Sequence, residues 1–414
     1  MELFLTFQNV FKMNQNFDII VVGGGASGFF TAINIVEKNP ALKVAILERG
    51  KNVLEKVRIS GGGRCNVTHA IYEPKELSQN YPRGSRELLG PFYNFSAGDT
   101  SEWFENRGVR LKTESDGRMF PESNSSQTII DCFLNCTQKL GILVLTSQVV
   151  QSIFQKDDCW KIETQNEQYL CESLVLATGS NPKIWETLQQ FGHTVENPVP
   201  SLFTFNINDA RIKNLPGVSA MVTTKIKDTK LETSGPLLIT HWGMSGPAIL
   251  KLSAWGARIL QEKNYQFALY VNWLNDVDFE KCEKLLKDIK LEHAKKSVSK
   301  KSPFELTNRL WESLVLASGI EAETKWADLS KMQLQNLIKQ LTNCTFSVNG
   351  KSTFKEEFVT AGGVDLKEIN FKTMESKLHK NLFFAGEIIN VDAVTGGFNF
   401  QNAWTTGFLV AQNF

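Results

Sequence analysis

The stretch FDIIVVGGGASGFFTAINIVEKNPALKVAILERG, residues Phe17–Gly50, decides the fold that the sequence predicts. It begins with Ile19–Val22, a β-branched apolar run typical of a strand that is buried on both faces. The pattern Gly23-x-Gly25-x-x-Gly28 follows. Gly23 permits a tight turn, Gly25 lets the backbone approach a pyrophosphate, and Gly28 lets helix and strand pack closely. The stretch therefore predicts a phosphate-binding turn.

A helix and a second strand follow this turn. The pattern predicts a helix over Phe29–Lys38 and a strand over Lys43–Leu47, which ends at Glu48, 20 residues beyond Gly28. A lone GxGxxG is weak evidence, but one between strand and helix with an acid at this spacing indicates dinucleotide binding. The helix N-terminus would hold the phosphates, and Glu48 would accept hydrogen bonds from ribose hydroxyls. The alternative is a glycine-rich turn in another kind of α/β unit.

The overall composition is that of a soluble globular protein. The chain has 414 residues, 42% hydrophobic and 21% charged, a length that suggests two or three domains. Its formal net charge of +1 provides no global field toward nucleic acid or anionic membrane, although a local basic patch remains possible. The N-terminus lacks the features of a signal peptide, and no uncharged run reaches the ~18 residues of a membrane span. We expect a cytoplasmic protein without a membrane partner, with residues 1–16 as a disordered extension.

The cysteines and histidines form no recognisable site. Seven cysteines include no Cys-x-x-Cys pair, which indicates reduced, mostly buried thiols. The five histidines are scattered, so we expect no metal site.

The composition changes along the chain in a way that indicates three domains. Beyond residue 200 the chain is strand-like to about residue 270, then helix-like and lysine-rich, and strand-like again after Phe346. Near the end, Leu382–Ala385 is typical of a buried strand and Gln401–Gln412 of a closing helix. The predicted division is a dinucleotide-binding domain at 17–197 and 360–414, a β-rich domain at 198–275 and 343–359, and a helical domain at 276–342.

Two further glycine-rich elements favour FAD over NAD. The first is Gly61–Gly63, and the second is Ala385-Gly386-Glu387 followed by Gly396-Gly397 and a helix. The second element returns the end of the chain to the first domain. We expect Glu387 to bind the ribityl chain and the last helix N-terminus to face the isoalloxazine and stabilise negative charge there.

The sequence resembles a known family, the bacterial YhiN-like flavoproteins, also known as aminoacetone oxidases or NAD(P)/FAD-dependent oxidoreductases. The resemblance covers nearly the whole chain from Phe17 onward. It rests on motifs in a shared order: ISGGGRCNVTH, LVLATGS, THWGMSGPAIL, VTAGGVDLKEI, TMESK and LFFAGEIINVDAVTGGFNFQNAWTTG.

The resemblance implies a doubly wound, Rossmann-type α/β domain that binds FAD and is made from both chain ends. It also implies an inserted β-barrel-like domain and a small helical domain. Members of the family are connected with amine oxidation and with reduction of double bonds conjugated to carbonyls, in steroid-like enones and in the uracil ring of ribosomal RNA. The resemblance therefore implies several substrate classes and does not select one.

The expected cofactor contacts come from the glycine turn, the end of the second strand, the triple glycine, a Thr-Gly turn and the C-terminal segment. They are Gly23, Gly25, Ala26, Ser27, Gly28, Glu48, Arg49, Gly62, Gly63, Arg64, Cys65, Asn66, Ala177, Thr178, Gly179, Gly386, Glu387, Gly396, Gly397, Phe398 and Asn399.

Within residues 61–66, Arg64 and Cys65 each leave an alternative open. The glycines would let backbone amides lie flat against FAD. Arg64 pairs with the pyrophosphate or forms a structural ion pair, and Asn66 would hydrogen-bond the ring edge. Cys65 is a candidate catalytic residue that donates the proton accompanying hydride delivery to an alkene, because a thiol is a competent acid at neutral pH. The alternative is a small buried cysteine that fills space.

Two features lie outside the cofactor segments. Ser245 and Pro247 predict a helix start that would hold a substrate group, with His241 as a candidate acid or base; a lone histidine is more often structural. The lysines at 295, 296, 300 and 301 offer a possible RNA contact, although most such runs are solvated surface.

The leading hypothesis is a reductase in which NAD(P)H reduces FAD and the flavin passes hydride to an activated double bond of a small-molecule substrate. Residues 142–380 contain no second GxGxxG, so the nicotinamide would bind transiently or elsewhere. The alternatives are an oxidase of a small amine, a reductase of uridine in RNA, and a non-catalytic flavin redox sensor. The sequence leaves the oligomeric state open.

Overall fold

The computed structural model describes residues 14–156, 158–165, 167–352 and 359–414. The chain divides into two compact units, Met1–Pro198 with Gly362–Phe414, and Val199–Ala361. Positions 1–13 of the predicted N-terminal extension lie outside the described residues. Positions 14–16 were wrongly included in it, because they form the start of the first strand and pair with residues 168–170.

The α-helices of the described residues follow one another along the chain. They are α1 (Ala26–Lys38), α2 (Glu55–Gly63), α3 (Pro74–Ser78), α4 (Ser85–Asn94), α5 (Ala97–Glu105), α6 (Ser126–Lys139), α7 (Pro182–Gln190), α8 (Pro247–Trp255), α9 (Ala257–Glu262), α10 (Phe279–Glu292), α11 (Asn308–Ala317), α12 (Lys331–Thr342) and α13 (Phe398–Ala411), with 3₁₀ turns at Trp326–Asp328 and Leu366–Glu368.

The strands belong to two large sheets and two small ones. They are β1 (Asn14–Val22), β2 (Val44–Leu47), β3 (Thr68–His69), β4 (Leu111–Thr113), β5 (Arg118–Pro121), β6 (Leu143–Leu145), β7 (Val150–Lys156), β8 (Cys159–Thr164), β9 (Gln168–Leu176), β10 (Val195–Ser201), β11 (Thr204–Asn206), β12 (Ser219–Ile226), β13 (Glu232–Ile239), β14 (Gly243–Ser245), β15 (Gln266–Asn272), β16 (Cys344–Asn349), β17 (Lys351–Ser352), β18 (Val359–Val364), β19 (Ile369–Asn370), β20 (Glu375–Ser376) and β21 (Leu382–Phe384).

The first unit is built on a sheet with the order β19-β20-β21-β9-β1-β2-β6, to which β7 and β8 add a hairpin through β9. Strands β21, β9, β1, β2 and β6 are parallel. The chain moves outward from β1 to β2 and β6 and then returns to β9 on the other side. The carboxyl end of β1 is therefore a topological switch point, the usual ligand position of an open α/β sheet. The predicted Rossmann-type fold is confirmed.

Helices α1 and α13 pack closely in the core of this unit. A Cβ at Gly407 would lie 2.7 Å from the Thr31 hydroxyl of α1, so a glycine is needed for this approach. Around the crossing, the rings of Phe30 and Trp404 lie 5.3 Å apart and those of Phe133 and Trp404 lie 5.7 Å apart. Because every one of these rings is buried, the two helices form one rigid support for the loops at their N-termini.

The second unit contains a sheet with the order β16-β15-β12-β13-β14-β11-β17. Its two outermost strands, β16 and β17, are separated in sequence by Gly350 alone, so the sheet curves back on itself. This arrangement confirms the expected barrel-like insertion. The β-strands share one hydrophobic core with α10, α11 and α12, in which Trp273, Leu310 and Leu337 are fully buried.

Strands β10 and β18 carry the chain out of the first unit and back into it, and they pair with each other. Among the described residues, no helix is both long and apolar enough to cross a membrane.

Candidate functional site

The glycine turn after β1 has the geometry that its sequence pattern predicts. Gly23 has a φ of +117°, and a Cβ there would lie 2.3 Å from the Ala177 carbonyl oxygen. A Cβ at Gly28 would lie 1.9 Å from the Gly23 carbonyl oxygen. At Gly25, in contrast, a Cβ would meet no described atom within 4 Å. Gly23 and Gly28 are therefore required by the fold, whereas Gly25 leaves space for a ligand.

Helix α1 starts directly after this turn, with Gly25 at its N-cap position. Because glycine has no side chain to cap the helix, the N–H groups at the start of α1, including those of Ala26 and Ser27, point toward that open space. The positive end of the helix dipole lies there as well. Both features suit a phosphate.

Glu48 lies at the carboxyl end of β2, beside the same turn. Its Oε2 accepts a hydrogen bond from the Gly24 N–H (2.8 Å), and its Oε1 accepts one from the Gly50 N–H (2.6 Å). These two bonds fix the carboxylate at the position where a ribose hydroxyl would reach it. Arg49, the next residue, is exposed.

The Thr-Gly turn after β9 borders the glycine turn. The Ala177 N–H donates to the Val22 carbonyl (2.8 Å), and Thr178 leads into Gly179, which has a φ of +60°. Gly179 lies near the side chain of Glu387, whose Oε2 accepts a hydrogen bond from Lys56 Nζ at 2.6 Å.

Lys56 is a neighbour of the site that the sequence patterns did not reveal. The negative charge of Glu387 raises the pKa of Lys56. An expected cofactor ligand, Glu387, therefore carries a counter-ion from α2. The sequence around Lys56 gives no signal for this pairing, because Glu387 lies at the opposite end of the chain.

Gly386 joins the C-terminal segment to the start of α1. It has a φ of +76°, and a Cβ there would lie 2.6 Å from the Ser27 hydroxyl. Its N–H donates to the Thr406 hydroxyl of α13 (2.9 Å). The segment is thus held between the two helices whose N-termini are the expected cofactor contacts.

The triple glycine forms a left-handed loop at the end of α2. Gly61, Gly62 and Gly63 have φ values of +57°, +69° and +81°, which side chains other than glycine rarely adopt. A Cβ at Gly62 or Gly63 would meet no described atom within 4 Å. The backbone of these two residues is therefore open to a flat ligand.

Cys65 follows this loop and is fully buried. Burial raises the pKa of its thiol to about 12, so the thiol stays protonated. A side chain with no exposed surface favours the space-filling alternative, and the catalytic role stays a prediction.

Arg64 forms a structural ion pair, the second of the two roles that the sequence left open for it. Its Nη1 lies 2.6 Å from Glu114 Oε1, and its guanidinium stacks on the Phe120 ring at 3.9 Å. Glu114 also pairs with Arg118 (3.2 Å). A pyrophosphate would have to compete with Glu114 for this arginine.

Asn66 connects the triple-glycine loop to the start of α13. With its amide oriented to satisfy its neighbours, its Oδ1 accepts from the Gly397 N–H (2.9 Å) and its Nδ2 donates to the Thr68 and Met119 carbonyls (3.0 and 3.2 Å). A Cβ at Gly397 would lie 2.6 Å from the Thr68 carbonyl oxygen. The two expected ring-contact segments therefore lie side by side.

Helix α13 begins at Phe398, three residues earlier than the predicted Gln401, because Gly397 adopts a φ of +93° and serves as its N-cap. The Phe398 ring stacks on His69 at 4.8 Å. The Asn399 amide accepts from the Ala393 N–H (3.0 Å), so it supports the preceding loop.

These residues fit FAD. Gly25, Gly62 and Gly63 leave a cradle that a Cβ would fill, and the N-termini of α1 and α13 present N–H groups beside it. Both amide atoms of Asn402, one turn into α13, are buried without a hydrogen-bond partner among the described residues. The chemistry of this donor set suits a diphosphate joined to a flat, hydrogen-bonding ring. No group of three or more His, Cys, Asp or Glu side chains in the described ranges is placed to hold a metal ion.

His241 lies in the second unit, exposed on the turn between β13 and β14. The predicted helix start at Ser245 was wrong by one residue. Ser245 ends β14, and Gly246, with a φ of +90°, serves as the N-cap of α8, while Pro247 occupies the first helical turn as expected. His241 belongs to the second unit, whereas the cofactor segments belong to the first. A catalytic role for His241 stays a prediction.

The chain is similar to several known proteins over nearly its whole length. The ribosomal RNA dihydrouridine synthases of Escherichia coli and Haemophilus influenzae are 28% and 29% identical to this chain, over 96% of it and 98% of each relative. The 3-dehydro-bile acid delta(4,6)-reductase of Clostridium scindens is 24% identical over 95% of this chain and 97% of the relative.

Solved structures share the fold at low sequence identity. The 3-ketosteroid delta1-dehydrogenase of Sterolibacterium denitrificans aligns with a TM-score of 0.52 at 11% identity, over 96% of this chain and 99% of that one. The E. coli quinol fumarate reductase FrdA aligns with a TM-score of 0.51 at 13% identity, over 97% of this chain and 70% of that one.

A family model described as the HI0933-like protein Rossmann domain matches residues 17–413. The chain therefore belongs to the HI0933-like family.

Proposed function

We propose that this protein reduces a carbon–carbon double bond conjugated to a carbonyl, with NAD(P)H as the electron donor. The observation that carries the proposal is the start of α13, where Gly397 is held by Asn66 beside the open triple-glycine loop. Such a helix N-terminus stabilises negative charge on a reduced ring or on the carbonyl oxygen of a substrate. A reductase needs this stabilisation because hydride delivery to a conjugated alkene places charge on its carbonyl oxygen.

The names of the relatives support this class of reaction. A dihydrouridine synthase saturates the uracil double bond next to a carbonyl, and a delta(4,6)-reductase of a 3-dehydro-bile acid acts on double bonds conjugated to a ketone. Both reactions add a hydride and a proton across an activated double bond.

FAD, when bound, supplies the hydride transfer. The residues of the chain bind the cofactor and stabilise charge. The N-terminus of α1 holds the phosphates, Glu48 holds the ribose, and Glu387 with Lys56 borders the Thr-Gly turn. The N-terminus of α13 provides the positive electrostatic environment.

Uridine in ribosomal RNA is the first substrate to test, because two relatives with this activity in their names align over nearly their full length. The lysines proposed for RNA contact are exposed in the second unit. Lys300 is paired with Glu323 at 3.2 Å, and Lys296 lies 3.3 Å from His293 Nδ1. Lys295 and Lys301 are therefore the better candidates for phosphate contact.

The test is an anaerobic absorption spectrum of the purified holoprotein before and after addition of NADH or NADPH. We expect the oxidised flavin band to bleach and to recover when unmodified ribosomal RNA is added, with dihydrouridine detected by mass spectrometry. Recovery with a steroid enone but not with RNA would keep the reaction class and change the substrate. A flavin band that neither NADH nor NADPH bleaches, together with peroxide release when a small amine is added in air, would overturn the proposal in favour of an oxidase.

A further inference from the structure

A second cavity, with a different chemistry, lies in the first unit beside α6. Its volume is about 650 Å³, and its wall includes Cys132, Cys136 and Lys139 of α6, Arg107 after α5, and Glu37 of α1. None of these residues belongs to the cofactor segments. We call it the α6 cavity.

The two cysteines of the α6 cavity form a pair one helical turn apart. Cys132 is buried, whereas Cys136 is partly exposed. A hydrogen bond from the Cys132 thiol lowers the pKa of Cys136, because it stabilises the Cys136 thiolate; the same bond raises the pKa of Cys132. The positive charge of Arg107 lowers the pKa of Cys136 further. The accessible member of the pair is therefore the nucleophilic one.

The charges around the thiols favour an anionic reagent. Arg107 is fixed by Glu37, with Nη2 2.5 Å from Oε1, and by stacking on Trp103 at 3.7 Å. Lys139, which follows Cys136 by three residues on α6, adds an exposed positive charge to the wall. With one carboxylate and two cations, the wall of the cavity carries a net positive charge.

We propose that Cys136 is a thiol-modification site that exchanges with acidic low-molecular-weight disulfides. The Cys136 thiolate attacks one sulfur of the reagent, a new S–S bond forms to Cys136, and the reagent's own S–S bond breaks. The second half of the reagent leaves as a thiolate and takes up the proton that Cys136 had lost. Cys136 is oxidised to the mixed disulfide, the disulfide reagent is reduced, and a free thiol reverses the reaction. Arg107 and Lys139 attract the carboxylates of the reagent, and Cys132 stabilises the attacking thiolate.

The experiment treats the FAD-loaded protein with oxidised glutathione, which is anionic, or with cystamine, which is cationic, and maps the adducts by peptide mass spectrometry. We expect the glutathione adduct on Cys136, at a higher rate than the cystamine adduct. C136A should remove this adduct. C159A, which changes an exposed cysteine of β8 far along the chain, should leave it unchanged.

Two more variants separate a built site from a merely accessible thiol. C132A should raise the inflection of the pH–rate profile at Cys136 and slow the exchange below that pH roughly threefold for each unit of pKa change, since thiolate population falls faster than nucleophilicity rises. K139Q should lower the preference for glutathione over cystamine. A Cys136 rate that C132A leaves unaltered, equal rates with both reagents, or formation of a Cys132–Cys136 disulfide instead of the adduct would overturn the proposal.

Discussion

Asn66 accepts a hydrogen bond from the backbone N–H of Gly397 at 2.9 Å, and this contact joins two glycine loops from opposite ends of the chain. Gly397 has no room for a Cβ because the Thr68 carbonyl lies against it. The start of α13 is therefore fixed by residues from the N-terminal half of the first unit.

Replacing Asn66 tests this connection. Asn66→Ala removes the partner of the Gly397 N–H and the Asn66 bond to the Thr68 carbonyl, whereas the Met119 carbonyl keeps its bond from the Val67 N–H. We expect a loss of about 1–2 kcal/mol in the free energy of unfolding. FAD affinity should fall roughly tenfold, because α13 loses its fixed start. Urea unfolding and fluorescence titration with FAD measure the two effects. An unchanged affinity in a destabilised variant would limit Asn66 to a structural role.

The glycines of the first turn should separate folding from cofactor binding. Gly28→Ala places a Cβ 1.9 Å from a backbone oxygen, and we expect a destabilisation of about 3 kcal/mol. Gly25 has a φ of −95° and open space around it, so Gly25→Ala should fold normally but bind FAD at least about tenfold more weakly. Thermal melts of the apoprotein and FAD titration distinguish them. Normal FAD binding by Gly25→Ala would place the pyrophosphate elsewhere.

The carboxylate of Glu48 should contribute to ribose binding. Glu48→Gln keeps one acceptor oxygen, whereas Glu48→Ala removes both and leaves the Gly24 and Gly50 N–H groups unpaired. Hydrogen bonds to charged groups are worth about 1.5–3 kcal/mol, so we expect Glu48→Ala to weaken FAD binding roughly 10- to 100-fold and Glu48→Gln to weaken it less. Isothermal titration of the apoprotein gives both constants. Equal affinities in wild type and Glu48→Ala would contradict a ribose contact.

Cys65→Ala distinguishes a proton donor from a packing residue. Because the thiol is fully buried and its pKa is raised to about 12, we expect the variant to lose about 1 kcal/mol of stability and to keep its turnover within about threefold of wild type. Single-turnover reoxidation of the reduced flavin by substrate is the measurement. A rate reduced by two orders of magnitude with flavin reduction intact would establish the thiol as the proton donor.

Stability should fall in acid because of His193. This buried histidine lies 2.8 Å from Glu368 Oε2 through Nδ1 and 3.0 Å from the Ser376 hydroxyl through Nε2. Burial lowers its pKa, so the unfolded chain takes up a proton before the native protein does. Stability from this group is present above the unfolded pKa of ~6.5 and is lost as the pH falls below it.

His193→Gln should therefore reduce the difference between unfolding free energies measured at pH 7 and pH 5. His293→Gln, which changes a histidine of the second unit, is the control and should keep the wild-type difference. An unaltered pH dependence in His193→Gln would show that other groups cause the acid lability.

The parts of the site that depend on local sequence could be predicted. The role of Gly28 follows from backbone sterics within a few residues, since a Cβ there would meet the Gly23 carbonyl, and the burial of Ile19–Val22 follows from its composition. The glycine pattern also marks Gly23, although the atoms that leave it no room belong to Ala177. Contacts between distant segments could not be predicted in this way. The pairing of Lys56 with Glu387 is an example, since neither residue carries a pattern that names the other.

Element boundaries were the other source of error. Ser245 has the preferred N-cap side chain, yet the left-handed φ of Gly246 moves the start of α8 by one residue. The same effect at Gly397 moves the start of α13. The sequence predicted the start of α8 but not its length, because the apolar composition of α8 is also that of a buried strand. Helix α9, with only six residues, was not predicted.

The insertion of the second unit between β10 and β18 also sets an order of biosynthesis. Strand β21 and helix α13, which complete the sheet and supply Gly386 and Gly397, are synthesised only after the whole of the second unit. The glycine turn at Gly23 therefore leaves the ribosome long before Gly386 and Gly397 are synthesised. Until then β1, β2 and β9 have to stay together without α13, and we expect full affinity for FAD only after α13 has been synthesised.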